Sequence, residues 1–111
     1  MAYQNVIGNK LSQAEMTTSY ATIYTTPTLN RTYVKNIDIC NTTGSTQRFY
    51  VHFVQKGKVV GVSNAIFYNA PINAYTTVQW TGSEILVEGD IIQVKASAAG
   101  VTIMITGGEA T

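Results

Sequence analysis

The chain carries one histidine and one cysteine, His52 and Cys40, so its means of nucleophilic or metal chemistry are few. A catalytic imidazole needs a group that orients it and a nucleophile within reach, and nothing close to His52 in sequence supplies both. His52 is therefore expected to be a surface or interface histidine. A lone Cys40 makes no intrachain disulfide, and one histidine does not build a zinc site. Cys40 follows Ile37 and Ile39 and precedes a turn. That context reads as a small buried or half-buried strand residue, because an activated thiol needs an electropositive, partly exposed setting.

The carboxylates Asp38, Glu84, Glu88, Asp90 and Glu109 raise the idea of a glycosidase pair, which needs two carboxyl groups facing each other across a cleft. Sequence alone does not place two of them across a cleft, and Glu88-Gly89-Asp90 reads more simply as a hairpin corner. No loop has the Asp-x-Asp-x-Asp spacing of a calcium site. Asn30-Arg31-Thr32 and Asn41-Thr42-Thr43 match the N-glycosylation triplet. Met1-Ala2-Tyr3-Gln4-Asn5 shows no basic stretch leading into an apolar one, so no secretory signal is expected and the triplets carry little weight. The expectation is a chain with no catalytic, cofactor or metal site, and no enzyme.

The aromatic residues are more suggestive. Tyr3, Tyr20, Tyr24, Tyr33, Tyr50, Tyr68, Tyr75 and Trp80 join an apolar ring to a polar handle, the kind of side chain enriched in contact surfaces. The expected interface residues are Tyr3, Val6, Ile7, Tyr50, His52, Tyr75 and Trp80.

Strands must position these groups. Leu occurs only at Leu11, Leu29 and Leu86 while Thr occurs sixteen times, a bias away from straight helix formers and towards β-branched residues. Phe49, Val51 and Phe53 alternate with Arg48, Tyr50 and His52. Ile37 and Ile39, then Ile92, Val94 and Ala96, then Val101, Ile103 and Ile105 repeat the period of two. One face is apolar in each case, as in a sheet packed on one side. Turn residues separate the runs: Asn41 to Ser45, Lys56-Gly57-Lys58, Asn69-Ala70-Pro71, Thr81-Gly82-Ser83, Glu88 to Asp90, and Ala98-Ala99-Gly100. The pattern predicts strands at 20–26, 33–41, 47–55, 59–62, 65–68, 75–80, 84–87, 91–97 and 101–106. The sum is an all-β chain: a single-domain antiparallel β-sandwich, jelly-roll-like. Residues 1–18 read as an N-terminal arm or an edge strand and 19–111 as the sandwich domain. Leu11 to Met16 is the best helical stretch and is too short to stand alone. Gly107-Gly108-Glu109-Ala110-Thr111 reads as a short exit.

Length and charge bound the function. At 111 residues and 12.0 kDa the chain fits one domain with one core. Its net charge of +1 and 12% of charged residues argue against a nucleic-acid partner, which calls for a concentrated basic patch. No apolar run approaches the ~18 residues of a membrane span, so no membrane partner is expected.

Three stretches gain meaning together. Tyr24-Thr25-Thr26-Pro27 is followed by the strand Tyr33 to Asn41. Ile85-Leu86-Val87-Glu88-Gly89-Asp90-Ile91-Ile92 then precedes Val101 to Glu109. This order resembles small β-sandwich virion proteins of tailed bacteriophages, with their "YT-x-P" corner, a strand ending in "I-x-x-C/S-N", an "L-x-x-G-D-x-I/V" corner and a terminal "G-x-E". The resemblance runs from about Tyr20 to Glu109, and the final Gly-Gly-Glu departs slightly from the commoner spacing. It implies a non-enzymatic virion structural protein that decorates or cements the capsid shell. A homotrimer located in the virion, touching the major capsid protein or other virion proteins, is the expected assembly. Two alternatives remain: a neck, tail, fibre or collar protein, and a carbohydrate- or receptor-binding module on the virion surface using Trp80 or Tyr75. The motif residues have structural reasons: Pro27 fixes φ where the chain changes sheet, Asn41 caps a strand end through its amide, and Gly89 permits a sharp turn.

Overall fold

The computed structural model describes residues 6–110. Its strands are β1 (Val6–Glu15), β2 (Ala21–Thr25), β3 (Arg31–Asn41), β4 (Gln47–Val54), β5 (Ala65–Ile72), β6 (Thr77–Val87), β7 (Ile91–Ala96) and β8 (Val101–Ala110), with one 3-10 turn at Val62–Asn64. They form two antiparallel four-stranded sheets, ordered β1-β8-β3-β6 and β2-β7-β4-β5. The pairs β1–β8, β2–β7, β3–β6 and β4–β5 are nested, first strand with last and inward to the central hairpin. That nesting is the jelly-roll topology of eight strands in two sheets.

Alternation builds the core between the sheets. The first sheet contributes Val34, Ile37, Ile39, Leu86, Val101, Ile103 and Ile105; the second contributes Phe49, Val51, Ile72, Ile92, Val94 and Ala96. Val34 and Ile37 are three residues apart, yet both are fully buried. A bulge at Lys35, where the pairing to β6 and β8 shifts register, inserts one residue and restores the inward direction. Leu11 makes the same insertion in β1 opposite β8, so the irregularities line up across the sheet beside Thr106.

Several turn signals prove to be bulges inside strands. Thr81-Gly82-Ser83 does not end a strand: β6 continues through it, with Gly82 and Ser83 both opposite Lys35. Asn69-Ala70-Pro71 likewise lies within β5. Asn69 takes a φ of 51° at a register shift, and Pro71, with no N–H to donate, is tolerated because β5 is an edge strand. No strand forms at 59–62. Gly57 turns the chain with a φ of 80°, and the Asn64 side chain engages the Val59 carbonyl and the Gly61 N–H, groups that a ladder would otherwise use. Gly107, Gly108 and Glu109 are not an exit segment; they belong to β8 and pair with both β1 and β3. Leu11 to Glu15 is extended, in the edge strand β1.

Two polar anchors close the ends. Asp90 accepts hydrogen bonds from the backbone N–H of Lys56 (3.0 Å) and Val87 (3.0 Å), while its carbonyl accepts from Thr26 N–H. Glu88-Gly89-Asp90 joins β6 of one sheet to β7 of the other, so it is a crossover between sheets and not a hairpin corner. Pro27 lies at the corresponding crossover from β2 to β3. At the other end Asn41 is fully buried. Its amide donates to the carbonyls of Ser45, Ile72 and Asn73, and its oxygen accepts from the Thr43 N–H and hydroxyl. This capping leaves no free amide for a glycan at the second triplet.

Candidate functional site

The outer face of the β2-β7-β4-β5 sheet gathers the residues best suited to contact. Alternation along β4 turns Tyr50 and His52 away from the core-facing Phe49 and Val51, and the register of β7 places Lys95 opposite Tyr50 and Gln93 opposite His52. Tyr20 arrives from the segment before β2 and Tyr68 from β5. The rings meet edge to face: Tyr20 and Tyr50 at 6.0 Å between centroids, Tyr50 and Tyr68 at 5.2 Å. Such geometry sets the positive ring edge against the negative face of its neighbour. The Lys95 ammonium lies 4.6 Å from the Tyr20 centroid and 4.5 Å from the Tyr50 centroid, within cation–π range.

His52 faces outward, but it is fully buried, contrary to the expectation of a surface position. The Tyr20 and Tyr68 rings pack edge-on against it at 5.1 and 6.3 Å. Its two nitrogens are both engaged: Nε2 with the Tyr20 hydroxyl at 3.0 Å and Nδ1 with Asn64 Oδ1 at 2.8 Å. The Asn64 amide orientation is fixed by its backbone partners, since Oδ1 accepts from Gly61 N–H and Nδ2 donates to the Val59 carbonyl. The histidine therefore donates from Nδ1 to Asn64 Oδ1. Burial, and then the neighbouring Tyr68 and Tyr50, hold the Tyr20 phenol above its ordinary pKa of 10.0. The result is a preorganised aromatic surface that carries the Lys95 ammonium, suited to contact.

The other expected interface residues lie elsewhere. Trp80 is paired with Ile37 and packs on the core, edge-on to Phe53 at 6.3 Å. Tyr75 is 75% exposed at the opposite end of the sandwich from Asp90, between β5 and β6, with a φ of 57°. Val6 and Ile7 open β1, paired with Ala110 and Glu109, and Tyr3 lies outside the described residues. Sequence reading places Tyr20 and Tyr68 among the contact-type aromatics but not in the expected interface set, and it passes over Lys95. The alternation pairs Tyr50 with His52 on one face, but only the strand order brings the other three beside them.

The remaining chemical candidates are dispersed. Cys40 is half-buried on the outer face of the other sheet, in a shallow depression with Asp38, Thr102 and Met104. Asp38 accepts from the Asn36 amide, Glu88 from the Leu29 N–H and Glu109 from the Tyr24 hydroxyl. Among the described residues no three or more His, Cys, Asp or Glu converge on a metal-sized site, and no helix is long and apolar enough to cross a membrane.

No protein-family model matches the sequence, and no curated protein is recognisably similar to it. Solved structures share its fold. A chain of the Bacillus endospore appendages, a family of disulfide-linked pili, superposes with a TM-score of 0.56 at 15% identity, covering 100% of this chain and 94% of that one. A chain of the T13 viral particle of infectious bursal disease virus superposes with a TM-score of 0.52 at 7% identity, covering 96% of this chain and 30% of that one. At such identities the likeness is one of fold: this sandwich is an architecture found in a pilus and in a viral particle.

Proposed function

We propose that the chain is a non-enzymatic structural protein of a phage virion, a decoration or cement subunit that stabilises the head shell by subunit contacts. The observation that carries this reading is the Tyr20–Tyr50–Tyr68 cluster on the outside of a jelly roll. These rings lie beyond the core between the sheets, and Tyr68 is 56% exposed, so its ring is open to a partner. The resemblance from Tyr20 to Glu109 and the use of this fold in a pilus and a viral particle support an assembled role. A low charged fraction supports it too, because weak self-repulsion tolerates dense packing. Stable attachment needs an interface of about 1,000 Å² or more. The aromatic face would form its centre, with the chain itself associating as a trimer on the major capsid protein.

Cryo-EM of intact particles with quantified copy number tests the proposal. Copies in the hundreds per particle support shell decoration. A few to some tens would overturn decoration in favour of the neck, tail or fibre, and absence of the chain from the particle would overturn a virion role altogether. A Tyr50→Ala/Tyr68→Ala chain is expected to bind undecorated shells at least about tenfold more weakly while keeping its β circular dichroism; unchanged binding would remove this face from the interface.

A further inference from the structure

A cleft of about 600 Å³ opens between β4, β5 and their connecting loop on one side and the edge strand β6 on the other. Phe53, Ala65 and Ile66 give it an apolar floor, and Trp80 backs Phe53 edge-on. Four polar side chains line it as well: Gln55, Lys58, Ser63 and Glu84. None of these four has a hydrogen-bond or ion-pair partner among the described residues. Asn64, which also lines the cleft, spends its amide on His52, Gly61 and Val59, and Glu88 and Asp90 are held by backbone N–H groups. The cleft thus sets four side chains with free hydrogen-bonding capacity around one apolar floor.

The chemistry of the lining selects the occupant. An anion would meet Glu84 and a cation would meet Lys58, so the site favours a neutral ligand. An acyl chain would cover these polar groups and return no hydrogen bond. A ring bearing several hydroxyls answers every group. Its hydroxyls donate to the Glu84 carboxylate and accept from the Lys58 ammonium, while Gln55 and Ser63 can do either. Its C–H face rests on Phe53. The volume falls within the ~300–1,000 Å³ of small-ligand sites. We propose that this cleft binds a neutral saccharide of one or two rings, held by Glu84, Lys58, Gln55 and Ser63 over Phe53. The site is separate from the Tyr20–Tyr50–Tyr68 face and does not depend on the assembly reading.

The test is an NMR titration of the full 15N-labelled chain with methyl α-glucoside, methyl β-galactoside, methyl α-mannoside, N-acetylglucosamine and lactose. At least one probe is expected to give saturable shifts confined to the amides of residues 53–66 and of Glu84. Glu84→Ala and Lys58→Ala should each weaken that binding about tenfold or more, and Gln13→Ala on the far sheet should leave it unchanged. Each variant's dispersed spectrum reports its fold, and Gln55→Ala stands in for any variant that fails this check. The proposal is overturned if no probe gives saturable shifts there, if the shifts gather on Tyr20, Tyr50 and Tyr68 instead, or if the folded variants bind like the parent. Loss of sugar binding with intact shell attachment, or the reverse, separates this site from the contact face.

Discussion

The Tyr24 hydroxyl donates a 2.5 Å hydrogen bond to Glu109 Oε2 and lies 2.8 Å from Thr32 Oγ1, tying β2 of one sheet to β3 and β8 of the other. Tyr24 opens the first of the sequence motifs and Glu109 closes the last, 85 residues later. The contact explains why a carboxylate sits at the end of the chain's final strand: it is a cross-sheet tie.

Tyr24 makes stability fall at high pH. Burial first, and then the hydrogen bond to Glu109, push its phenol from 10.0 up to about 12. Below about pH 10 both folded and unfolded chains hold the proton, and the contribution is complete. Between about 10 and 12 the unfolded chain releases its proton while the folded chain keeps it, so unfolding gains and stability declines with rising pH. Tyr20 acts in the same direction, so the informative quantity is the difference between the parent and Tyr24→Phe in urea midpoint from pH 8 to 12. That difference is expected to shrink above pH 10. A gap that stays constant to pH 12 would refute the assignment.

At neutral pH, Tyr24→Phe removes the hydroxyl from both Glu109 and Thr32. A loss of about 1–3 kcal/mol is expected, the usual result of orphaning a partly buried polar group. Glu109→Gln retains an acceptor oxygen and should lose less. Thermal melts of the two variants check the order, and an equal or greater loss for Glu109→Gln would mean that the carboxylate has another main role.

Asn41 serves the opposite end of the sandwich. Asn41→Ala would leave the carbonyls of Ile72 and Asn73 without its amide and the Thr43 N–H without its acceptor, at about 3 kcal/mol in total. Asn41→Asp keeps the acceptor but sets a carboxylate against three carbonyls, so it should be no milder. Urea unfolding of both variants tests this. A near-neutral Asn41→Asp would show that only the turn at Thr43 matters.

These residues show what was readable before the structure and what was not. The alternation of Ile37, Ile39, Ile103 and Ile105 identified core positions because side-chain direction in a strand is local. Pro27, Asn41 and Gly89 were legible because turn chemistry is local as well. Gly82-Ser83 and Asn69 were misread as strand ends because a bulge uses the same residues as a turn, and only the partner strand distinguishes them. The Gly107-Gly108 pair reads as an exit because glycine at a close approach between strands looks like glycine in a turn. The contact face was half legible: Tyr50 and His52 share a period, but Lys95, Tyr20 and Tyr68 join them through the order β2-β7-β4-β5, which no local pattern encodes. The burial of His52 was hidden because the rings packed against it come from two other segments.

Gly107 is required by the close approach of β3. A side-chain carbon at this position would collide with the Tyr33 carbonyl oxygen and crowd the Val34 backbone. No flexible side chain can move aside there, so the strands themselves must separate. Gly107→Ala is expected to destabilise by about 3 kcal/mol or more. Gly61→Ala has open space around its added carbon and should stay within about 1 kcal/mol. Comparable thermal midpoints for the two variants would refute the close-approach argument.

His52 links the aromatic face to the loop that borders the saccharide cleft. Its Nδ1–H reaches Asn64 Oδ1, and Asn64 in turn holds the Gly61 N–H and the Val59 carbonyl. His52→Phe keeps a flat aromatic ring but removes both ring nitrogens. The Asn64 amide then loses one of its anchors, and the 59–64 segment should open more often, while Ile92 and Val94 keep their packing between the sheets. Hydrogen exchange is therefore expected to speed up at the Gly61 amide by about tenfold or more, beyond any change at core amides such as Val94. The Tyr20 hydroxyl, freed from Nε2, loses its fixed direction as well, so ring signals of Tyr20 should broaden or shift. Uniform acceleration across Gly61 and Val94 would mean that His52 contributes only to global stability, and that the loop is shaped without it.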